Sequence, residues 1–197
     1  MDSTRHIGIT GNIGSGKTTV GKYLESKNFF VFDSDEFVSK IYSSTKYKDI
    51  KEKIKALFPE CLKKNRLLKK CIKTIIFENA EKREKLEELI HPLVINEILK
   101  AKKKLKDKYK KKYAFYIVPL LYEKKLEYLF DEIWVVFTPP HISIKRVMKR
   151  DRIDEELAKK IMNSQINPLE KVKKADKVII NDKDINSLYS QIENLLT

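Results

Sequence analysis

Apolar positions change their spacing along the chain, and each change marks a different element. Residues 7–10 and 29–32 are short, nearly unbroken runs of apolar and β-branched side chains, of the length a buried strand needs. Between them, Val20, Tyr23 and Leu24 recur at helical spacing, predicting a helix over 17–26. From residue 35 to 112 the pattern is helical almost throughout, with breaks near 43–46, at Phe58-Pro59 and at Pro92. Runs at 113–118 and 133–137 end in Pro119 and in Thr138-Pro139-Pro140 and read as buried strands. Helical spacing returns over 142–165, a fifth strand follows at 178–180, and a closing helix at 185–196. Strands separated by helices, without tight hairpin signals, predict a parallel sheet covered on both faces. The surplus of helix between the second and third strands predicts an inserted helical region.

Composition adds bounds to this outline. The chain has 197 residues, 42% of them hydrophobic and 36% charged, enough for one compact domain that folds without metal or disulfide staples. Cys61 and Cys71 lie in no CxxC or CxxH context, so both are expected to be reduced. The first apolar segment is interrupted at once by glycines, and no stretch approaches the ~20 apolar residues of a membrane span. The expectation is a soluble, cytoplasmic protein.

Charge points to anionic partners. The 42 Lys and Arg exceed the 28 Asp and Glu by a formal +14, a field that speeds the arrival of nucleic acid or of phosphorylated metabolites alike. The densest lysine run, 100–112, continues the apolar stripe of Leu93, Val94, Ile98 and Leu99 and reads first as a solvated helix face. Lysine outnumbers arginine, giving point-like attraction rather than bidentate recognition, so no specific nucleic-acid partner is expected.

All five glycines fall between Gly8 and Gly21. Glycine is needed where φ is positive or where something approaches the backbone closely, so a special loop lies at this end. Gly11-Asn12-Ile13-Gly14-Ser15-Gly16-Lys17-Thr18 fits G-x-x-x-x-G-K-[ST] at every fixed position, after a predicted strand and before a predicted helix. In this phosphate-binding loop, or P-loop, backbone N–H groups and the helix N-terminus cradle a phosphate chain. Lys17 reaches the β and γ phosphates, and the Thr18 hydroxyl can ligate Mg²⁺.

Asp33-Ser34-Asp35 follows the second strand at the sheet edge where parallel sheets bind ligands. If the strand continues, Asp33 and Asp35 point to one side, and Asp33 is the candidate for accepting or orienting a proton on an attacking hydroxyl; the alternative is that one of them caps a helix. Arg146 and Arg150, four apart, share a helix face before the polar stretch 151–156. They either close over a transferring phosphate or form an exposed pair. His91-Pro92 follows an apolar stripe, and His91 taken alone reads as a helix-end or surface histidine.

Together these residues resemble the dephospho-coenzyme A kinase family over nearly the whole chain, from residue 7 to about 181. The likeness rests on Ile9-Thr10-Gly11 with the P-loop, Asp33-Ser34-Asp35, Leu89-Ile90-His91-Pro92, Val118-Pro119-Leu120-Leu121-Tyr122-Glu123, Arg146 through Arg150-Asp151, Gln165, and Ala175-Asp176 with the strand ending before Asn181. The resemblance implies an α/β P-loop NTPase three-layer fold with a five-stranded parallel sheet, a helical substrate-binding insertion and a lid. In one domain, the nucleotide core would span about 1–34, 113–141 and 170–197, the CoA-binding helices 35–112 and the lid 142–169. It implies phosphorylation by ATP, with Mg²⁺, of the ribose 3′-hydroxyl of dephospho-CoA to give CoA and ADP, by a monomer or weak homo-oligomer without membrane partners. Lys17, Asp33 and Arg146 would be catalytic. Gly11 to Thr19 would bind ATP, together with Arg150 of the lid region and Asn181, which would lie near the adenine, and within that loop Asn12, Ile13, Gly14, Ser15, Gly16, Thr18 and Thr19 are all included. Asp35, His91, Leu120 and Glu123 would bind the acceptor, and Thr18 the metal, with Asp33 through water. The sequence departs from the family where Pro59, Asn65 and Arg152 replace glycines, and where Lys69 and Lys160 stand for arginines. The rival readings are another small-molecule P-loop kinase, such as a nucleoside monophosphate kinase, and a basic NTP-dependent nucleic-acid-binding protein.

Overall fold

Alternate residues of the central strands point to one side and share one apolar core, which is how five short runs of sequence become a sheet. The computed structural model describes residues 4–64, 66–105 and 110–197. In chain order the elements are β1 (Arg5–Thr10), α1 (Lys17–Ser26), β2 (Phe30–Asp33), α2 (Ser34–Ser43), α3 (Lys48–Leu57), β3 (Leu62–Lys63), β4 (Arg66–Leu67), α4 (Lys69–Glu78), α5 (Ala80–Leu105), β5 (Tyr113–Ile117), β6 (Glu132–Phe137), α6 (Pro140–Asp151), α7 (Glu155–Asn163), α8 (Pro168–Lys174), β7 (Lys177–Ile180) and α9 (Ile185–Leu196). They form two compact units, one of residues 1–33 with 105–197 and one of residues 34–104. No helix among the described residues is long and apolar enough to cross a membrane.

The first unit holds a five-stranded parallel sheet in the order β2-β5-β1-β6-β7. Ile7, Ile9, Tyr113, Phe115, Ile117, Trp134, Val136 and Ile179 face Val20 and Leu24 of α1 and Leu188 and Ile192 of α9. Each such large apolar side chain contributes about 1.5–3 kcal/mol on burial. On the other face Gly8 lies so close to Leu121 and Phe130 that a Cβ would meet either at 2.8 Å. Tyr116 stacks at tilted angles on Phe30, Phe32 and Phe130 there. The register sets Asp33 beside Ile117, and Ile117 beside Ile9, so the ends of β2, β5 and β1 are level.

The second unit is the helical insertion, but it differs from expectation in three ways. First, α5 continues through Pro92 instead of breaking there, so His91 is half-buried within a helix and not at its end. Proline removes one N–H and costs about 3 kcal/mol in a helix interior. The buried stripe of Leu86, Ile90, Val94 and Ile98 along the same helix offsets that cost. Second, the two-residue strands β3 and β4 make an antiparallel hairpin inside the helical region, pairing Leu62 with Leu67, which short exposed strands without apolar alternation do not announce. Third, Cys61 and Cys71 are disulfide-bonded rather than reduced, with Cα atoms 5.5 Å apart. The hairpin is the reason: Leu68 N–H donates to the Cys61 carbonyl at 2.9 Å, bringing Cys61 against the first turn of α4 where Cys71 sits.

Helix is also interrupted where the pattern reads as continuous. The segment 142–165 is two helices, α6 and α7, separated at Arg152, which adopts φ 54°. Arg152 stands where the family resemblance expects a glycine, and the chain keeps the left-handed turn at a steric cost of about 1–2 kcal/mol. The short helix α8 lies in a stretch without strong apolar periodicity. Of the expected helix over 35–112, α5 ends at Leu105 and residues 106–109 lie outside the described ones, as does Asn65.

Reduction of the Cys61–Cys71 bond, which closes a loop of 10 residues, should lower stability by about 2–3 kcal/mol. Thermal unfolding with and without dithiothreitol tests this. The Cys71→Ser variant should match the reduced protein and ignore the reductant; a wild-type midpoint indifferent to reductant would count against the bond.

Candidate active site

β1 ends at Thr10 and α1 begins at Lys17, so residues 11–16 must turn the chain back within six residues. Gly11, Gly14 and Gly16 have φ of 150°, 77° and 98°. Gly16 is also the N-cap of α1 and offers no side-chain cap, leaving the first helical N–H groups directed toward any anion in the loop. Lys17 folds back across the turn, its Nζ donating to the carbonyls of Gly11 at 2.8 Å and Asn12 at 2.9 Å. Ser15 Oγ is buried and has no hydrogen-bond partner among the described residues. Thr18, in the first turn of α1, is exposed, and Thr19 N–H donates to the Gly16 carbonyl.

Residues distant in sequence hold this turn. Asn181 Nδ2 donates to the Ser15 carbonyl at 2.8 Å, and Asn181 N–H to the Phe137 carbonyl at 2.8 Å. Thr138 Oγ1 lies within hydrogen-bond distance of the Ser15 and Asn181 carbonyls, at 3.0 and 2.9 Å. Gln165 Oε1 accepts from Ile13 N–H at 2.8 Å, and Asn12 Nδ2 donates to the Ile166 carbonyl at 2.8 Å. A Cβ on Gly16 would meet Asn181 Nδ2 at 2.1 Å, so glycine there is set by the clamp as well as by its φ.

The remaining expected residues divide clearly. Asp33 closes β2 at the same carboxyl edge, level with Ile9 and two strands away, about 10 Å at the usual strand spacing. The strand does not continue past it: Ser34 begins α2 and Asp35 lies in that helix's first turn, so the two carboxylates are not related by strand alternation. Arg146 is half-buried, its Nη1 donating to Thr138 Oγ1 at 3.4 Å, on the flank of the P-loop. Arg150 is exposed and donates through Nε and Nη2 to the Asp151 carboxylate at 2.8 Å each. Leu120 is half-buried in the loop after β5. Glu123 Oε1 accepts from Lys171 Nζ at 2.8 Å and from Ile166 N–H at 3.0 Å. In the other unit, His91 lies on α5, and Lys69 donates to the Ser39 carbonyl at 3.2 Å and sits over the Tyr42 ring. Lys160 lies on the exposed side of α7.

Thr138 borders the loop and Lys171 pairs with Glu123 behind it, although the sequence marks neither. Thr138 precedes two prolines and reads only as a strand end, while Lys171 is one lysine among many. Among the described residues no cluster of three or more His, Cys, Asp or Glu could hold a metal alone. Thr18 and Asp33 offer hard oxygens, which suit a Mg²⁺ ion that takes much of its coordination from water and phosphate.

A glycine turn between a central parallel strand and a helix, with its carbonyls clamped outward and a carboxylate on the same edge, defines a P-loop phosphotransferase. Shikimate kinase from Bacteroides thetaiotaomicron shares the fold, at 18% identity, TM-score 0.53 and coverage of 97% of this chain and 95% of that one. The model of the family described as dephospho-CoA kinase matches residues 5–187. The dephospho-CoA kinase of Fusobacterium nucleatum is 40% identical over 189 residues, 95% of this chain and 94% of that protein. That of Listeria monocytogenes is 35% identical over 187 residues, 94% of this chain and 92% of its own length. The solved dephospho-CoA kinase of Campylobacter jejuni superposes with TM-score 0.62 at 27% identity, covering 98% of this chain and 95% of that one. The chain belongs to the dephospho-CoA kinase family.

Substituting Gly16→Ala should displace Asn181 from the Ser15 carbonyl and force a Cβ into a left-handed turn. The two effects together cost about 2–3 kcal/mol. Calorimetric titration with ATP should show affinity weakened by at least about tenfold; unchanged binding would mean that the clamp does not shape the loop.

Proposed function

We propose that this chain transfers the γ-phosphoryl group of ATP to the ribose 3′-hydroxyl of dephospho-CoA, giving CoA and ADP as the last step of CoA synthesis, in the cytoplasm. The observation that carries this reading is a complete P-loop on β1 with Asp33 level with it on the same sheet edge, in a chain matched by the family over residues 5–187. Phosphoryl transfer needs positioning and charge neutralisation rather than a nucleophilic side chain, and the attacking group is the substrate's own hydroxyl.

Each residue then has a role. The loop of residues 11–19 holds the phosphates, through N–H groups other than those of Ile13, Ser15 and Thr19, which are bonded within the protein, and Lys17 exchanges the Gly11 and Asn12 carbonyls for the β and γ phosphate oxygens. Asp33 accepts or orients the proton of the attacking hydroxyl. Thr18, with Asp33 through water, would hold Mg²⁺, whose charge offsets that of the phosphate oxygens. Arg146, on the loop's flank, stabilises charge on the transferring group, and Arg150 leaves Asp151 to meet ATP. Asn181 serves the adenine from the position in which it clamps Ser15. The helices of 35–112 take the CoA moiety, with Asp35, His91, Leu120 and Glu123 serving the acceptor, and 142–169 acts as the lid. Lys69 and Lys160 would give point-like contacts where an arginine would fork. The excess of basic charge draws in both polyanionic substrates.

An ADP-release assay at fixed Mg-ATP, offering dephospho-CoA, AMP, CMP, adenosine and a single-stranded oligonucleotide in parallel, decides the acceptor when product mass is checked. Turnover and a CoA-mass product are expected with dephospho-CoA alone; turnover with a monophosphate, or only with the oligonucleotide, would overturn the reading. In the same assay Lys17→Ala should lower kcat by at least about 10²-fold. Asp33→Asn should lower it by about 10²–10⁴-fold while ATP affinity, read by titration, stays close to wild type. An active Asp33→Asn variant would move the proton-handling role elsewhere.

A further inference from the structure

Among the described residues, one fully buried cation lies outside the phosphate cradle yet is connected to it. Lys171, on α8, has no solvent exposure. An ammonium is among the costliest groups to bury, and it is retained only where it is paired and hydrogen-bonded. Its Nζ lies 2.8 Å from Glu123 Oε1 and donates to the Pro119 carbonyl at 3.2 Å. Burial lowers its pKa, and the Glu123 carboxylate opposes that shift. Thr10, the last residue before the P-loop, donates its hydroxyl to the same Pro119 carbonyl at 3.1 Å.

The other end of the connection is the segment between α7 and α8. Glu123 Oε1 also accepts Ile166 N–H, at 3.0 Å. The Ile166 carbonyl takes Asn12 Nδ2, and the neighbouring Gln165 side chain takes Ile13 N–H. The first turn of the P-loop is thus attached to residues 165–166, and those residues are attached through Glu123 to Lys171. Tyr122 OH donates to the Lys174 carbonyl at 2.9 Å, fixing the loop after β5 to the same helix; its pKa, raised by burial to about 12, keeps it a donor at neutral pH. Glu123 Oε2 is buried without a hydrogen-bond partner among the described residues, so the carboxylate depends on its single ionic partner.

We propose that Lys171 is a positioning residue for the nucleotide: by neutralising and orienting Glu123 it sets residues 165–166, which hold Asn12 and Ile13 and so fix the entry turn of the P-loop. The inference rests on reading the P-loop as the phosphate site of the transferase, and it makes the α7–α8 junction part of the ATP site without contact to ATP. Loss of the cation leaves a buried, unpaired carboxylate, which retreats from Ile166 and lets the 165–166 segment move away from the loop.

The test uses the full chain and three variants: Lys171→Met, Lys171→Arg, and Lys171→Met combined with Glu123→Leu, which removes both buried charges and, with them, the acceptor of Ile166 N–H. Mg-ATP binding is read by calorimetry without any acceptor, so that a wrong assignment of the acceptor leaves this measurement intact. Thermal unfolding accompanies it. Lys171→Met should weaken ATP binding about tenfold, and Lys171→Arg should recover most of the loss. The double variant should regain the melting midpoint but keep weakened ATP binding; if the single Met variant does not fold, the double variant decides. Wild-type ATP affinity in a folded double variant would overturn the proposal. So would a lowered melting midpoint with unchanged ATP binding in Lys171→Met, which marks a purely structural lysine.

Discussion

The Ser15 carbonyl is the point on which the nucleotide-binding unit depends. A loop can turn its N–H groups inward toward an anion only if its carbonyls are directed outward and occupied. Here the side-chain amide of Asn181 and the hydroxyl of Thr138 meet the Ser15 carbonyl, and Gln165 and Ile166 hold the entry turn at Ile13 and Asn12. Each of these bonds contributes only about 1 kcal/mol net, but together they hold a conformation that the isolated segment would not keep. They also explain why Gly16 tolerates no side chain: the clamp occupies the space where one would begin.

Sheet topology brings the clamp together. With β1 between β5 and β6, and β7 beyond β6, the segments leaving β6 and β7 arrive beside the loop leaving β1, which is why Thr138 and Asn181 reach Ser15. On the other flank, the β1-β5-β2 register delivers Asp33 level with Ile9. Parallel strands collect such residues because every strand ends on the same edge. The core beneath is apolar on both faces, so the edge rests on strands that cannot slip register without exposing Phe115, Trp134 and their neighbours.

The helical unit shows how tertiary contacts override local preference. Pro92 sits inside a helix of 26 residues because the Leu86, Ile90, Val94 and Ile98 stripe outweighs one absent hydrogen bond. Arg152 holds a left-handed turn that glycine would adopt without strain, showing in the first unit that the break between α6 and α7 is set by packing on either side and not by the residue within it. Cys61 and Cys71 meet because a hairpin of four paired residues folds the chain back between them, and sequence spacing carries no trace of that fold.

By itself the sequence determined the parallel sheet, the order of strands and helices along the chain, and the phosphate loop. These are encoded locally, in apolar runs, in helical spacing and in a glycine pattern whose geometry is confined to eight residues, Gly11 to Thr18. The family likeness was legible in the same way, as short motifs in order. Tertiary structure alone decided which side chains hold those motifs in place. Thr138, Gln165 and Lys171 lie in segments without distinctive periodicity, and their partners are Ser15, Ile13 and Glu123, 123, 152 and 48 residues away along the chain. It also separated Arg146, turned toward Thr138, from Arg150, turned toward Asp151, although helical spacing puts the two on one face. Periodicity reports which side of an element is buried, whereas the partner of a polar group is chosen only when distant segments are brought to the same edge and their unsatisfied donors and acceptors must find one another.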